Sequence, residues 1–409
     1  MNRRFVSEGH IIDSNILPRI LNLIVEEGAE YRITAFEIGQ TNLEPSHLEF
    51  DLISKGEEQC AAITAKLVQL GCYEESASES VTKLAEREGA VPDDFYSTTN
   101  HRTEIFLGGR WQEVANQRMD GVVAITERGP ECKLLREVKR GDRILCSSES
   151  VRVFPPARDR EADIFSFMTG DVSSERSVDV AVDQIAEDLV EYREAGRKVI
   201  VVGGPVVVHT GGGPALAALI REGYVHGLLA GNALAVHDIE SVLFGSSLGI
   251  DLATGRPIHE GHRNHLRAIN RIAACGSIAE AVRRGEIGRG IMFECVRAGV
   301  PYCLAGSIRD DGPLPETEMD MIRAQARYAE ILKGASMVLM LSSMLHSIGT
   351  GNMLPSWVRT VCVDINPAVV TKLGDRGSSQ ALGIVSDVGF FLRALAARLP
   401  ARVQPFAAT

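Results

Sequence analysis

The chain contains no apolar run approaching the roughly 18 residues of a membrane span. No apolar stretch follows Arg3-Arg4, so the N-terminus is not read as a signal peptide. Cytoplasm is the expected compartment. Positive charge is also scarce. The formal net charge is −11, and a duplex-binding surface needs clustered Lys and Arg, so nucleic acid is not an expected partner. None of the eight cysteines forms a Cys-x-x-Cys pair, which removes the usual zinc spacing. Most lie in apolar runs, such as Leu145-Cys146 and Val361-Cys362-Val363, and read as small core residues in a reducing compartment. Cys295 and Cys303, near glycines, are the candidates for reactivity. There is no solenoid repeat and no low-complexity segment. What remains is a globular chain of 409 residues, 45% hydrophobic, with room for two or three domains.

In chain order, Gly9–Asp13 reads as a short strand, with Asp13 or Ser14 as the cap of a helix that Gly28 closes. Tyr31–Ile38 and His47–Ile53 read as strands, and Glu57–Leu70 as a second amphipathic helix. That order predicts a ferredoxin-like α+β module over residues 1–85. Glu74–Asp94 is polar and reads as a connector. Residues 86–175 follow as a small β-rich domain, with a hairpin across Gly108-Gly109 and a candidate boundary at Pro155-Pro156.

From residue 176 to 409 strands and helices alternate, which predicts a doubly wound, Rossmann-like parallel sheet in an α/β protein. Lys198–Val202 is a buried strand ending in Gly203-Gly204-Pro205, and Thr210-Gly211-Gly212-Gly213-Pro214 opens a helix whose free N–H groups could face an anion. The runs at Met337–Leu341 and Val358–Val363 read as strands buried on both faces. The first ends at Ser342-Ser343 and the second at Asp364, close to the roughly 20-residue offset of an acid that meets a cofactor ribose. Gly349-Thr350-Gly351 lacks the third glycine of the dinucleotide fingerprint, so the glycines alone are a weak signal. The stronger one is convergence. Asn232, Asp310, Ser343, Asp364 and Asp387 all end predicted strands, and a parallel sheet would bring them to one edge, where ligands bind.

Residues from Gly9 to about Cys72, through Gly9-His-Ile-Ile-Asp13, Phe36-Glu-Ile-Gly39 and Glu44-Pro45-Ser46, resemble the region shared with lysine-ketoglutarate reductase/saccharopine dehydrogenase proteins. Three further stretches resemble the archaeal-type ornithine cyclodeaminase family. They are Gly203-Gly-Pro205 with His209-Thr-Gly-Gly212, then Gly231-Asn-Ala-Leu-Ala-Val-His-Asp-Ile-Glu240, then Asp364-Ile-Asn-Pro-Ala-Val-Val-Thr-Lys-Leu373. The resemblance implies a C-terminal domain similar to the NAD domain of deoxyhypusine synthase and the sirtuins. It does not include the arginine dihydrolase domain fused to the same unit in some cyanobacterial proteins, so arginine hydrolysis is not expected.

The activity implied is conversion of L-ornithine to L-proline and ammonia with NAD recycled, in a homo-oligomer. NAD is expected at Asn232, Ala233, Asp310, the Ser343-Met344-Leu345-His346 tip, Asp364, Asn366 and the Asp387-Val388 tip. For proton transfer and carboxylate binding the candidates are His237 and Asp238, one helical turn beyond Asn232, together with Arg309 and Lys372. No metal is expected. Two rival readings stay open: an NAD-linked amino-acid dehydrogenase or transferase on the same fold, and a non-catalytic regulator responding to NAD and amino acids.

Overall fold

The computed structural model describes residues 1–12, 16–40, 44–75, 78–155, 174–252, 254–256, 258, 261–310, 312–375 and 381–401. The expected caps Asp13 and Ser14, the second proline of Pro155-Pro156, and Asp311 lie outside them. The chain divides into two compact units, Met1–Ile164 with Asn352–Trp357, and Phe165–Gly351 with Val358–Thr409.

The first unit begins with β1 (Asn2–Gly9), α1 (Ile16–Glu26), β2 (Glu30–Glu37), β3 (Ser46–Ile53), α2 (Glu57–Gln69) and β4 (Cys72–Glu74). Its antiparallel sheet has the order β2-β3-β1-β4, the ferredoxin-like arrangement. Phe5 stacks on Phe50, and both are fully buried with Ile20, Ile24, Ile63 and Leu67 from the helices. The first strand falls earlier than Gly9–Asp13. Its polar ends hide it in the sequence, while Phe5, Val6 and Ser7 in its centre are buried. The β-rich region supplies β5 (Thr82–Leu84), β6 (Arg102–Leu107), β7 (Arg110–Glu113), β8 (Val122–Thr126), β9 (Gly129–Lys133), β10 (Arg143–Leu145) and β11 (Val151–Phe154). They form two antiparallel sheets, β5-β10-β8-β9 and β11-β6-β7. The β6–β7 turn has Gly108 at φ +62° and Gly109 at φ +74°, values that glycine adopts without a Cβ penalty. The expected connector contains β5, which pairs with β10. Val68 of α2 shares a core with Ile105, Val123, Leu145, Val151 and Val153, so the two N-terminal modules are packed together.

The second unit contains α3 (Ser174–Glu194), β12 (Lys198–Gly203), α4 (Val206–His209), α5 (Gly213–Arg221), β13 (Gly227–Gly231), α6 (Asn232–Phe244), β14 (Ser246–Ser247) and β15 (Ile250–Asp251). Then come α7 (Asn264–Cys275), α8 (Ile278–Arg283), α9 (Ile291–Ala298), β16 (Tyr302–Ala305), β17 (Thr317–Glu318), α10 (Met321–Leu332) and β18 (Ala335–Leu341). It closes with α11 (Met344–Gly351), β19 (Arg359–Asp364), α12 (Pro367–Asp375), β20 (Ala381–Val385) and α13 (Val388–Arg398). Seven strands form one parallel sheet, ordered β17-β16-β13-β12-β18-β19-β20. Its central strands are apolar on both faces because helices cover both. Successive connections run one way from β12 to β17, and the other way from β18 to β20. The order therefore reverses between β12 and β18, which is where an open α/β sheet forms a ligand crevice.

The Gly211–Gly213 segment does a different job from the one expected. A Cβ on Gly212 would lie 3.1 Å from Gly389 Cα, and one on Gly389 would lie 2.3 Å from the Thr210 carbonyl oxygen. These glycines let the start of α5 approach α13. Cys295 and Cys303 are buried, and burial pushes both thiols up, away from the reactive thiolate. No helix among the described residues is long and apolar enough to cross a membrane.

Candidate functional site

Parallel pairing puts the ends of β13, β16, β18, β19 and β20 on one edge of the sheet, and with them Asn232, Asp310, Ser343, Asp364 and Asp387. The edge has two halves, one on each side of the β12/β18 crevice. Over β12, β13 and β16 lies a cavity of about 400 Å³, lined by residues that include His209, Asn232, Ala233, His237, Arg309 and Asp310.

Asn232 opens α6 and is buried. Its Oδ1 accepts the Leu314 N–H at 3.0 Å and the Thr317 hydroxyl at 2.9 Å, while its Nδ2 donates to Asp310 Oδ1 at 3.3 Å. Asp310 in turn accepts the Ser307 N–H on Oδ2 at 2.7 Å. Asn232 thus holds the loop that carries Arg309, and that loop forms the cavity rim. The Arg309 side chain is exposed there, with no acidic partner among the described residues.

His237 and Asp238 point to different fates. His237 lines the cavity, and its Nδ1 lies 2.9 Å from Glu240 Oε2. Asp238 turns into the protein, where Oδ1 and Oδ2 accept the Ile291 and Met292 N–H groups, both at 2.9 Å. It caps α9, and burial pushes its carboxyl up to about 6. Lys372 is exposed on α12 and does not line the cavity.

Sequence reasoning missed the polar cluster behind His237. Glu240 is fully buried, and its Oε1 accepts the Ser246 hydroxyl at 2.9 Å. Ser246 Oγ accepts Asn264 Nδ2 at 2.9 Å. His209 stands edge-on to His237, with ring centroids 4.7 Å apart, and its Nδ1 is 2.7 Å from Ser247 Oγ. Burial holds His209 down at about 4, so it is neutral near pH 7. The available signal was spacing: Glu240 follows His237 by three residues, on the same face of α6.

The other half carries the expected cofactor residues. Ser342, at the tip of β18, has φ +48°. A Cβ on Gly204 would meet the Ser342 carbonyl oxygen at 1.9 Å, so only glycine allows the β12 and β18 tips to come this close. Beyond the tip, Met344 and Leu345 are exposed while His346 turns inward. Tyr328 donates its hydroxyl proton to the Ala230 carbonyl at 2.8 Å, so His346 Nδ1, 3.0 Å away, donates to Tyr328. His346 Nε2 is then an acceptor; a Cβ added to Gly231 would lie 3.1 Å from it. The Ser347 and Thr350 hydroxyls of α11 are buried without hydrogen-bond partners among the described residues.

Asp364 ends β19, and its Oδ1 accepts the Asn366 N–H at 2.8 Å, leaving Oδ2 unused among the described residues. Asn366 accepts the Ala368 N–H and Asp387 the Phe390 N–H, so both act as helix caps. Val388 is buried in the core. The crevice residues fit a dinucleotide: strand tips that Gly204 brings together, an acid about 20 residues beyond Ser343 with one oxygen unused among the described residues, and buried hydroxyls on the intervening helix without partners among those residues. Among the described residues no His, Cys, Asp and Glu cluster could hold a metal ion.

Comparisons with known proteins match three consecutive stretches of the chain. Residues 2–101 match the family described as the LOR/SDH bifunctional enzyme conserved region. Residues 102–182 match the first region of the arginine dihydrolase ArgZ-like C-terminal part, and residues 183–395 its Rossmann fold. The ornithine cyclodeaminase of Methanocaldococcus jannaschii is 50% identical over 405 residues, covering 97% of this chain and 96% of that one. Apo ArgZ, an arginine dihydrolase from the ornithine-ammonia cycle in cyanobacteria, superposes with a TM-score of 0.83 at 43% identity. That match covers 98% of this chain but 58% of ArgZ. The ternary complex of AgrE with ornithine and NAD+ is 46% identical, with a TM-score of 0.54, over 98% of this chain and 57% of AgrE.

Proposed function

The chain belongs to the family that joins the LOR/SDH conserved region to the ArgZ-like C-terminal domains, and from this we propose that it is an ornithine cyclodeaminase, converting L-ornithine to L-proline and ammonia with NAD recycled. The relative from M. jannaschii bears that name over nearly its whole length, and AgrE takes up ornithine and NAD+ together. The observation that carries the reading is the divided sheet edge. A glycine-tight crevice with an acid adjoins a cavity holding an imidazole and a guanidinium, and among the described residues one oxygen of that acid is unused and the guanidinium has no acidic partner.

When bound, NAD supplies a hydride acceptor for the α-carbon and returns the hydride to the cyclic imine. Asp364 Oδ2 serves the ribose hydroxyls, and the Ser343–His346 tip with the Ser347 and Thr350 hydroxyls lines the crevice. Asn366 and the Asp387-Val388 tip shape its wall as helix starts. Asn232, Ala233 and Asp310 form the border with the cavity. Arg309 binds the substrate carboxylate, because a guanidinium on the cavity rim can pair with a carboxylate through two parallel hydrogen bonds. His237 moves the proton that the amine chemistry requires. Asp238, committed to α9, and Lys372, outside the cavity, have no catalytic role in this reading.

One incubation with L-ornithine and NAD tests it, following proline, ammonia and NADH together. Equal amounts of proline and ammonia without NADH build-up are expected. NADH rising with product would make the chain a dehydrogenase. Tight NAD binding without turnover would favour a regulator.

A further inference from the structure

We infer that Glu240 is a positioning residue that makes His237 a proton acceptor toward the cavity, and that this pair carries one proton from the substrate's α-ammonium to the departing ammonia. The inference rests on the cyclodeaminase reading. Glu240 Oε2 receives the Leu248 N–H at 3.4 Å as well as His237 Nδ1 at 2.9 Å, and Oε1 receives the Ser246 hydroxyl. A backbone N–H is always a donor. The Ser246 oxygen already accepts from Asn264 Nδ2, so its own proton is free to point at Glu240. Every partner of the carboxylate among the described residues is thus a donor, and a carboxylate only accepts, so His237 Nδ1 carries hydrogen. The lone pair is left on Nε2, on a ring that lines the cavity.

When His237 gains a proton, the positive charge forms against a carboxylate with no exposure at all. The carboxylate at 2.9 Å from Nδ1 keeps the ring oriented while Nε2 holds the proton. The other ionisable groups lining the cavity are His209, His265, Arg309 and Asp310. His209, neutral and edge-on, does not compete for the proton. In the first step an N–H bond of the α-ammonium breaks and Nε2–H forms, leaving a free amine whose lone pair can assist hydride loss to the nicotinamide. The δ-ammonium gives one proton to solvent, and its nitrogen then bonds to the α-carbon as the imine π pair moves onto the α-nitrogen. In the last, Nε2–H breaks and the departing nitrogen gains that proton. The ring nitrogen's lone pair forms the C=N bond as the C–N bond to ammonia breaks. The ring nitrogen exchanges its own proton with solvent, and imidazole is restored.

The test compares the full chain with E240Q, which keeps the shape and removes the charge, and with S246A, which loosens the carboxylate without discharging it. We expect kcat in E240Q to fall by about 100-fold or more, with KM for ornithine little changed and the acidic limb of the kcat profile moved to lower pH. S246A should lie between E240Q and the parent. Independently of turnover, ¹⁵N-histidine NMR of the cofactor-free parent should show His237 protonated at Nδ1 and bare at Nε2. An Nε2–H tautomer in the parent would overturn the inference, as would an E240Q enzyme with near-parental kcat and an unmoved acidic limb. If E240Q does not fold, S246A and the NMR tautomer decide. If the parent makes no proline while His237 shows the stated tautomer, the cyclodeaminase reading has failed. The substrate role then falls with it, and only the Glu240-fixed tautomer stands.

Discussion

Burial sets the charge states around the cavity, and this has a consequence for folding. His209 is held at about 4 in the folded chain, below the ordinary 6.5, because burial disfavours its cation. A depressed histidine contributes its full stability above the unfolded value and loses it as pH falls through the 6.5-to-4 window. H209Q, whose amide can still reach Ser247, should therefore flatten the acid side of the stability curve. Urea unfolding at pH 7 and pH 4.5 checks this, and an equal loss in both proteins would refute it. Arg309 makes the opposite kind of case, an exposed cation without an acidic partner among the described residues. R309A should raise KM for ornithine by about 10- to 100-fold, the worth of a charge-assisted hydrogen bond, with a smaller change in kcat. An unchanged KM would remove Arg309 from the substrate site. His237 and Arg309 could be picked from the sequence because each follows a strand tip. Glu240 offered only its three-residue spacing from His237, since a glutamate on a helix usually faces water, whereas this one is fully buried and bonded to Ser246.

Elements were more legible than their junctions. Continuous apolar runs revealed β12, β18 and β19 to within two residues, because strands buried on both faces tolerate little else. β17 and β5 escaped, being edge strands of two and three residues with no apolar pattern. The glycines were harder to interpret. Gly211–Gly213 suggested an anion site by composition but serves helix packing, whereas Gly204, in a less conspicuous position, is the one that brings two strand tips into van der Waals contact. G204A follows as a sharp test of the crevice. Its Cβ would meet backbone, not a flexible side-chain end, so the tip carrying Ser342 and Ser343 must move. NAD affinity measured by calorimetry should drop by about tenfold or more, for a stability cost of about 1–3 kcal/mol. Undiminished NAD binding by a folded G204A chain would place the cofactor elsewhere.

At the scale of the whole molecule, strand order is what a single sequence could not disclose. The spacing from Ser343 to Asp364 put the expected centre of the site over β18 and β19, yet the order reverses one strand earlier, between β12 and β18. Asp364 and His237 consequently belong to opposite halves of one edge. The seven-stranded sheet that joins them is packed on both faces, and such a layer resists local deformation. Binding and proton transfer should then be separable. D364A removes an acceptor for a ribose hydroxyl and should weaken NAD by about tenfold, narrowing any preference over NADP because the acid would repel a 2′-phosphate. It should leave the acidic limb of the kcat profile where it was. E240Q should move that limb and leave NAD affinity alone. Combined, the two substitutions should add in free energy of kcat/KM within about 0.5 kcal/mol, as expected for distant sites without shared partners. A coupling well above that value would mean that the two halves act as a single constellation, with the cofactor's ribose end and the imidazole sharing partners across the crevice.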